Sequence, residues 1–158
     1  MLAVKAAFIG FALCAGCLPG LPCQASGNNG GEQSLACSYG YKKPMTSGEA
    51  KLDIKDHRIN RIWFNSYYPG GQGELGFTCH IDLNRQDGAF TWQDKGLDIT
   101  VTAKESGDTL QLNHDKKGYR LDFANFKKLS TYCGAGAEVP LDVFIPFSGR
   151  SCKIRLAQ

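Results

Sequence analysis

From Leu35 onward, apolar side chains recur at every second position. Leu35, Cys37, Tyr39 and Tyr41 alternate with smaller or polar neighbours, and Ala50, Leu52 and Ile54 alternate with Lys51, Asp53 and Lys55. The longest stripe is Leu75, Phe77, Cys79, Ile81 and Leu83. It is followed by Phe90 and Trp92, by Leu97, Ile99, Val101 and Ala103, and by Leu110 and Leu112. Tyr119, Leu121 and Phe123, then Leu141, Val143 and Ile145, then Cys152, Ile154 and Leu156 complete the series. Each stripe gives one apolar and one polar face, as half-buried antiparallel strands require. Turn residues fill the gaps: Pro69-Gly70-Gly71, Gln86-Asp87-Gly88, Ser106-Gly107-Asp108, Lys116-Lys117-Gly118 and Ser148-Gly149-Arg150. No stretch sustains a 3.6-residue apolar period with caps, and a single short helical turn is expected over 125–131. The pattern predicts an all-β fold, a single antiparallel β-sandwich or flattened barrel of about eight to ten short strands. Phe77, Ile81, Ile99, Val101, Leu121, Val143 and Ile154 are its expected core.

The first 25 residues follow a different rule. One positive charge at Lys5 precedes an apolar run from Ala6 to Ala15, too short to span a bilayer and followed by Gly16, Pro19 and Pro22. This reads as a signal peptide over 1–25, with Cys23-Gln24-Ala25 offering small residues for cleavage before Ser26. Ala15-Gly16-Cys17 offers a competing route, a lipid anchor through Cys17. Cysteine parity favours the first. Of the seven cysteines, cleavage before Ser26 removes Cys14, Cys17 and Cys23 and leaves Cys37, Cys79, Cys133 and Cys152, an even set for two disulfides. Four cysteines allow three connectivities, and spacing alone does not choose among them. Cys37–Cys152 with Cys79–Cys133 is the preferred pairing, because the first bridge staples the opening strand to the last. The expected location is periplasmic or extracellular. Residues 26–33, rich in Gly and Asn, read as a flexible lead-in, and 34–158 as a single β-domain.

Composition adds limits. A chain of 158 residues leaves room for one ordinary domain, and 42% hydrophobic against 21% charged is a folding composition. A net charge of +3, one less once Lys5 is removed, is too small to argue for nucleic acid as a partner. Only three histidines occur. His80 directly follows Cys79, so in a strand the two point to opposite faces and cannot share a metal. His57 and His114 fall in turn-like or loop contexts. Nucleophile elbows, paired metal-binding histidines and Gly-rich phosphate loops are all missing from the sequence. Asp82-x-Asn84-x-Gln86 and Asn113-x-Asp115-x-Lys117-Gly118 begin like calcium loops but lack the later ligands, and read as hairpin turns. Carboxylates at Glu49, Asp53, Glu74, Asp82 and Asp98 lie on polar strand faces. The expectation is a non-enzymatic protein with no cofactor and no metal.

Two stretches carry binding chemistry. Between Arg61 and Gly71, Trp63, Phe64, Tyr67 and Tyr68 place four aromatics within six positions. Because strand side chains alternate, Trp63 and Phe64 cannot both face the core, and neither can Tyr67 and Tyr68. One of each pair is expected at the surface, where aromatics serve interfaces and sugar stacking. The second stretch is Pro146-Phe147-Ser148-Gly149-Arg150-Ser151, between two strands. A Phe beside a Gly and an Arg makes a tip able to plug a cleft, with the Arg fork suited to a carboxylate.

Ser148-Gly149-Arg150-Ser151-Cys152 resembles the Ser-Gly-x-x-Tyr loop of small periplasmic lysozyme inhibitors, with Cys152 standing where that family has Tyr. The resemblance implies a loop that enters the lysozyme cleft and meets its acidic residues through Ser148, Gly149 and Arg150. In architecture the chain also resembles bacterial immunity proteins that occlude cell-wall hydrolases. The leading expectation is therefore a secreted inhibitor or immunity protein whose partner is a cell-wall hydrolase or toxin, bound through Phe147, Ser148, Gly149 and Arg150. The alternative is a glycan- or ligand-binding module using Trp63, Tyr67 and Tyr68. Neither expectation involves nucleic acid or a membrane-spanning segment.

Overall fold

The structure, a computed structural model, describes residues 31–42, 45–69, 76–126, 133 and 139–156. The proposed signal peptide, the Cys17 anchor site, Gly70-Gly71 and Leu75 lie outside the described residues. Among the described residues ten strands run in chain order: β1 (Gln33–Lys42), β2 (Met45–Lys55), β3 (Arg58–Tyr68), β4 (Phe77–Asn84), β5 (Phe90–Lys95), β6 (Asp98–Ala103), β7 (Thr109–Asp115), β8 (Gly118–Asp122), β9 (Asp142–Pro146) and β10 (Lys153–Arg155). They form two antiparallel sheets, one in the order β1-β2-β3-β4 and the other β10-β9-β8-β7-β6-β5. Neighbours within each sheet are also neighbours in sequence; short turns join β1 to β2, β2 to β3, β5 to β6 and β7 to β8, while β8 reaches β9 through the long connection over 123–141.

Alternation decides which side of each strand is covered. In β4, Cys79, Ile81 and Leu83 are buried while Thr78, His80 and Asp82 are exposed. Val101 from β6, Leu110 and Leu112 from β7, Leu121 from β8, and Val143 and Ile145 from β9 meet Leu52, Ile62, Phe64 and Ile81 of the first sheet in one continuous core. Phe64 and Phe123 approach across it with ring centroids 4.9 Å apart. Burying side chains of this size contributes about 1.5–3 kcal/mol each relative to exposure. The phase slips once. Asp53 pairs with Arg61 while Ile54 pairs with Ile59, so Asn60 is an extra residue that bulges β3 and lets both Ile59 and Ile62 turn inward.

Both disulfides are those preferred from the sequence. Cys37–Cys152 joins β1 to the segment before β10, and Cys79–Cys133 ties β4 to the long connection that precedes β9. Their half-cystines are all buried. Two cystines belong to an oxidising compartment, extracellular or periplasmic in kind. Among the described residues no helix is long and apolar enough to cross a membrane.

Two expectations need correction. Leu97 is not on an inner stripe: it occupies the hairpin turn between β5 and β6 beside Gly96 (φ +66°), and is 54% exposed. A two-residue hairpin with Gly leading takes Leu97 out of the strand phase. Phe77 and Ile154 are only half-buried, since each lies at the start or on the edge of a sheet; the other five expected core residues are buried. The helical turn expected over 125–131 falls mostly on 127–131, which lie outside the described residues; just ahead of it, 123–126 form a tight turn with Phe126 N–H donating to the Phe123 carbonyl at 2.9 Å, and both rings are buried.

Candidate binding surface

The chain leaves β9 at Pro146 and bends through Phe147, Ser148, Gly149 and Arg150, all exposed. Gly149 has φ +94°, in the left-handed region, so the residue type is set by backbone conformation; a Cβ there would meet open space. The base of this loop is fixed at several points. Phe147 N–H donates to the Lys117 carbonyl at 2.9 Å. Ser38 N–H donates to the Arg150 carbonyl, and Cys152 N–H donates back to the Ser38 carbonyl, each at 2.9 Å. Ser38 and Ser151 form an isolated parallel bridge, one residue from the Cys37–Cys152 disulfide. The loop thus covers the open edge of β1 and binds the second sheet to the first, which satisfies edge groups that would otherwise invite another strand.

The tip is built from rings and cations. Phe147, 44% exposed, packs edge-on against Tyr119 at 5.5 Å and against His114 at 5.6 Å. Beside it lies a groove of about 610 Å³ whose charged lining is Lys116, Lys117, Arg150 and Lys153, with Phe144 as its apolar wall. Among the described residues no carboxylate lines this groove. On the flanking strands the one buried carboxylate, Asp142, is paired with Arg120 and Arg155 at 2.6 Å each, so it leaves no open negative charge. Arg120 also stands over the Phe144 ring at 5.6 Å.

A second cavity, about 420 Å³, opens on the outer face of the first sheet. Ala36, Lys51, Trp63 and Asp82 share one cross-strand row there, and Ser38, Glu49, Asn65 and His80 the next. Trp63 meets His80 edge to face at 5.8 Å. Lys51 is held by Asp53 at 2.9 Å, and Arg61 grips Asp82 through two hydrogen bonds. Burial alone would raise the Asp53 carboxyl, but hydrogen bonds from Lys51 and Ser34 outweigh it and hold it below the ordinary carboxylate range. Arg61 does the same for Asp82. Arg150 lines both cavities and makes no ion pair among the described residues.

The structure therefore brings together two expectations that the sequence kept apart: Trp63 and Arg150 face one cavity. Phe147, Ser148 and Gly149 accompany Arg150 at the groove. As alternation required, Phe64 goes inward and Trp63 outward, and Tyr67 is 47% exposed. Tyr67 shares the outer face with Trp63 but does not line its cavity, and Tyr68 falls on the inner-face phase, half-buried. His80 is exposed and Cys79 buried, on opposite faces as expected. The suspect calcium loops are turns, with Asn84 Oδ1 accepting from Gln86 N–H and Asp115 Oδ1 from Lys117 N–H. Sequence reasoning missed Lys116, Lys117, Lys153 and His114, whose convergence depends on hairpin packing. Phe144 was more legible: an aromatic between Val143 and Ile145 must occupy the outward phase. No protein family, curated protein or solved structure matches this chain.

Proposed function

We propose that the protein is a secreted inhibitor or immunity protein that occludes the acidic cleft of a cell-wall hydrolase with its Phe147–Arg150 loop. The observation that carries this reading is an exposed tip with a fixed base, where Arg150 joins Lys116, Lys117 and Lys153 around a groove that no carboxylate among the described residues lines. A hydrolase cleft that works through carboxylates presents the complementary charge, and complementarity of this kind speeds encounter and suppresses wrong partners. Fixing the loop by a disulfide and backbone bonds reduces the conformational freedom lost on docking. Arg150, without an ion-pair partner among the described residues, can give both arms of its guanidinium to one carboxylate. Phe147 supplies apolar contact, with one side of its ring already settled on Tyr119 and His114.

The testing experiment is turnover of purified peptidoglycan by a panel of lysozymes, muramidases and amidases with and without the secreted protein. Stoichiometric inhibition of at least one enzyme, weakening steeply with salt, is the expected result. Failure to inhibit any of them at micromolar protein would remove the reading.

A further inference from the structure

We propose that the cavity on the outer face of the first sheet binds a pyranose ring bearing a carboxylate. This does not rest on the inhibitor reading, although Arg150 belongs to both surfaces. Its volume, about 420 Å³, falls within the range of small-molecule sites. Three kinds of chemistry converge there. Trp63 is half-buried, in T-shaped contact with His80, and brings an indole to the cavity for the C–H face of a sugar ring. Glu49 and Ser38 are exposed and can take hydrogen bonds from ring hydroxyls. Arg150 supplies a cation with no ion-pair partner among the described residues, whereas the other cation of the lining, Lys51, is already committed to Asp53.

The charge count selects the ligand. A neutral sugar would leave Arg150 unused. A phosphate dianion would set two negative charges beside Glu49 against a single uncommitted cation. A monoanionic carboxylate matches Arg150 in charge and in its planar fork, while the ring it is attached to reaches Trp63. The aromatic face and the cation come from different sheets, and the Cys37–Cys152 bridge with the Ser38 backbone bonds holds them side by side.

Titration calorimetry of the secreted protein with a galacturonic acid oligomer tests this directly. Saturable binding is expected, about tenfold or more tighter than to a neutral cello-oligosaccharide of equal length and to inorganic phosphate. Arg150→Ala should weaken uronate binding by at least about tenfold, and Trp63→Ala should abolish it with the thermal midpoint unchanged. If Trp63→Ala lowers the midpoint, Trp63→Phe keeps a ring and should bind with intermediate affinity. Equal binding of neutral and acidic oligomers, tighter binding of phosphate, unchanged binding in both Trp63 variants, or no saturable heat to about 1 mM would each overturn the proposal. Hydrolase inhibition by Trp63→Ala should match wild type, so loss of sugar binding and loss of inhibition are separable outcomes.

Discussion

Gly118 occupies a place where no side chain fits. A Cβ built on it would lie 2.1 Å from the Ile145 carbonyl oxygen and 2.8 Å from the Pro146 Cα, because β8 and β9 approach closely where the loop after β9 begins. Its backbone conformation is ordinary, so the constraint is steric. Gly118→Ala should therefore push β9 away and lower stability by about 1–3 kcal/mol, read by denaturant unfolding. The same substitution at Gly88, where a Cβ meets nothing, should be close to neutral. Val143, fully buried on β9, makes the complementary case. Val143→Asp would place an unpaired carboxylate between the sheets and should prevent folding, visible as loss of near-ultraviolet dichroism. A folded Val143→Asp protein would contradict the assignment of β9 to the core.

At the scale of elements, the loop after β9 depends on the edge it covers. Replacing Cys37 and Cys152 together by Ala opens a loop of 115 residues' separation and should cost about 2–5 kcal/mol. If the loop docks as proposed, a second consequence follows: only backbone bonds, through Ser38 and from Phe147 to Lys117, would then hold it, and inhibition should weaken more than for a surface variant of equal stability. Much of this architecture was legible in the sequence. The strands were visible because each has one covered face, and the buried cysteines because Cys37, Cys79 and Cys152 lie in phase with apolar stripes; that phase does not choose the pairing, which was preferred because one bridge would staple the first strand to the last. Leu97 misled because an apolar residue in a hairpin turn continues the alternation by accident. The cation cluster was not legible. Lys116 and Lys117 sit in the β7–β8 turn and Lys153 on β10, and only the pairing of β8 with β9 and β9 with β10 brings them to one groove. Trp63 and Arg150 likewise come from different sheets, and no local spacing records that they meet.

For the whole molecule, three carboxylates make stability depend on acid. Asp94 accepts from Arg58 on β3 and Arg85 in the turn after β4, which knits the two sheets, while Arg85 also stands 4.6 Å from the Trp92 ring centre. Burial alone would raise Asp94, yet the two guanidinium groups hold it below the ordinary range, as Lys51 and Ser34 do for Asp53 and Arg61 for Asp82. The folded state then binds fewer protons than the unfolded chain just below the usual carboxylate value of about 4. Stability from these groups is present above that value and lost as pH falls through the lowered ones, so thermal midpoints should hold near neutrality and drop below about pH 4. At the other extreme, burial drives the Tyr39 hydroxyl well above its ordinary value of 10.0, and Tyr119 is raised by burial as well. The unfolded chain ionises first there, so stability should fall again as pH rises past about 10. Tyr39→Phe should flatten part of that alkaline loss.

The rigid cationic tip is most directly tested by the affinity of wild type and Arg150→Ala for a hydrolase that the wild type inhibits, measured alongside thermal melts of both. Partial desolvation on docking should make the pair formed by Arg150 worth more than an exposed surface bridge. Truncation is expected to cost roughly 2–4 kcal/mol, about thirty- to a thousandfold in Kd, with the melting temperature unchanged because the side chain packs against little. Equal affinity of the two proteins, with equal melts, would contradict the placement of this loop in the cleft.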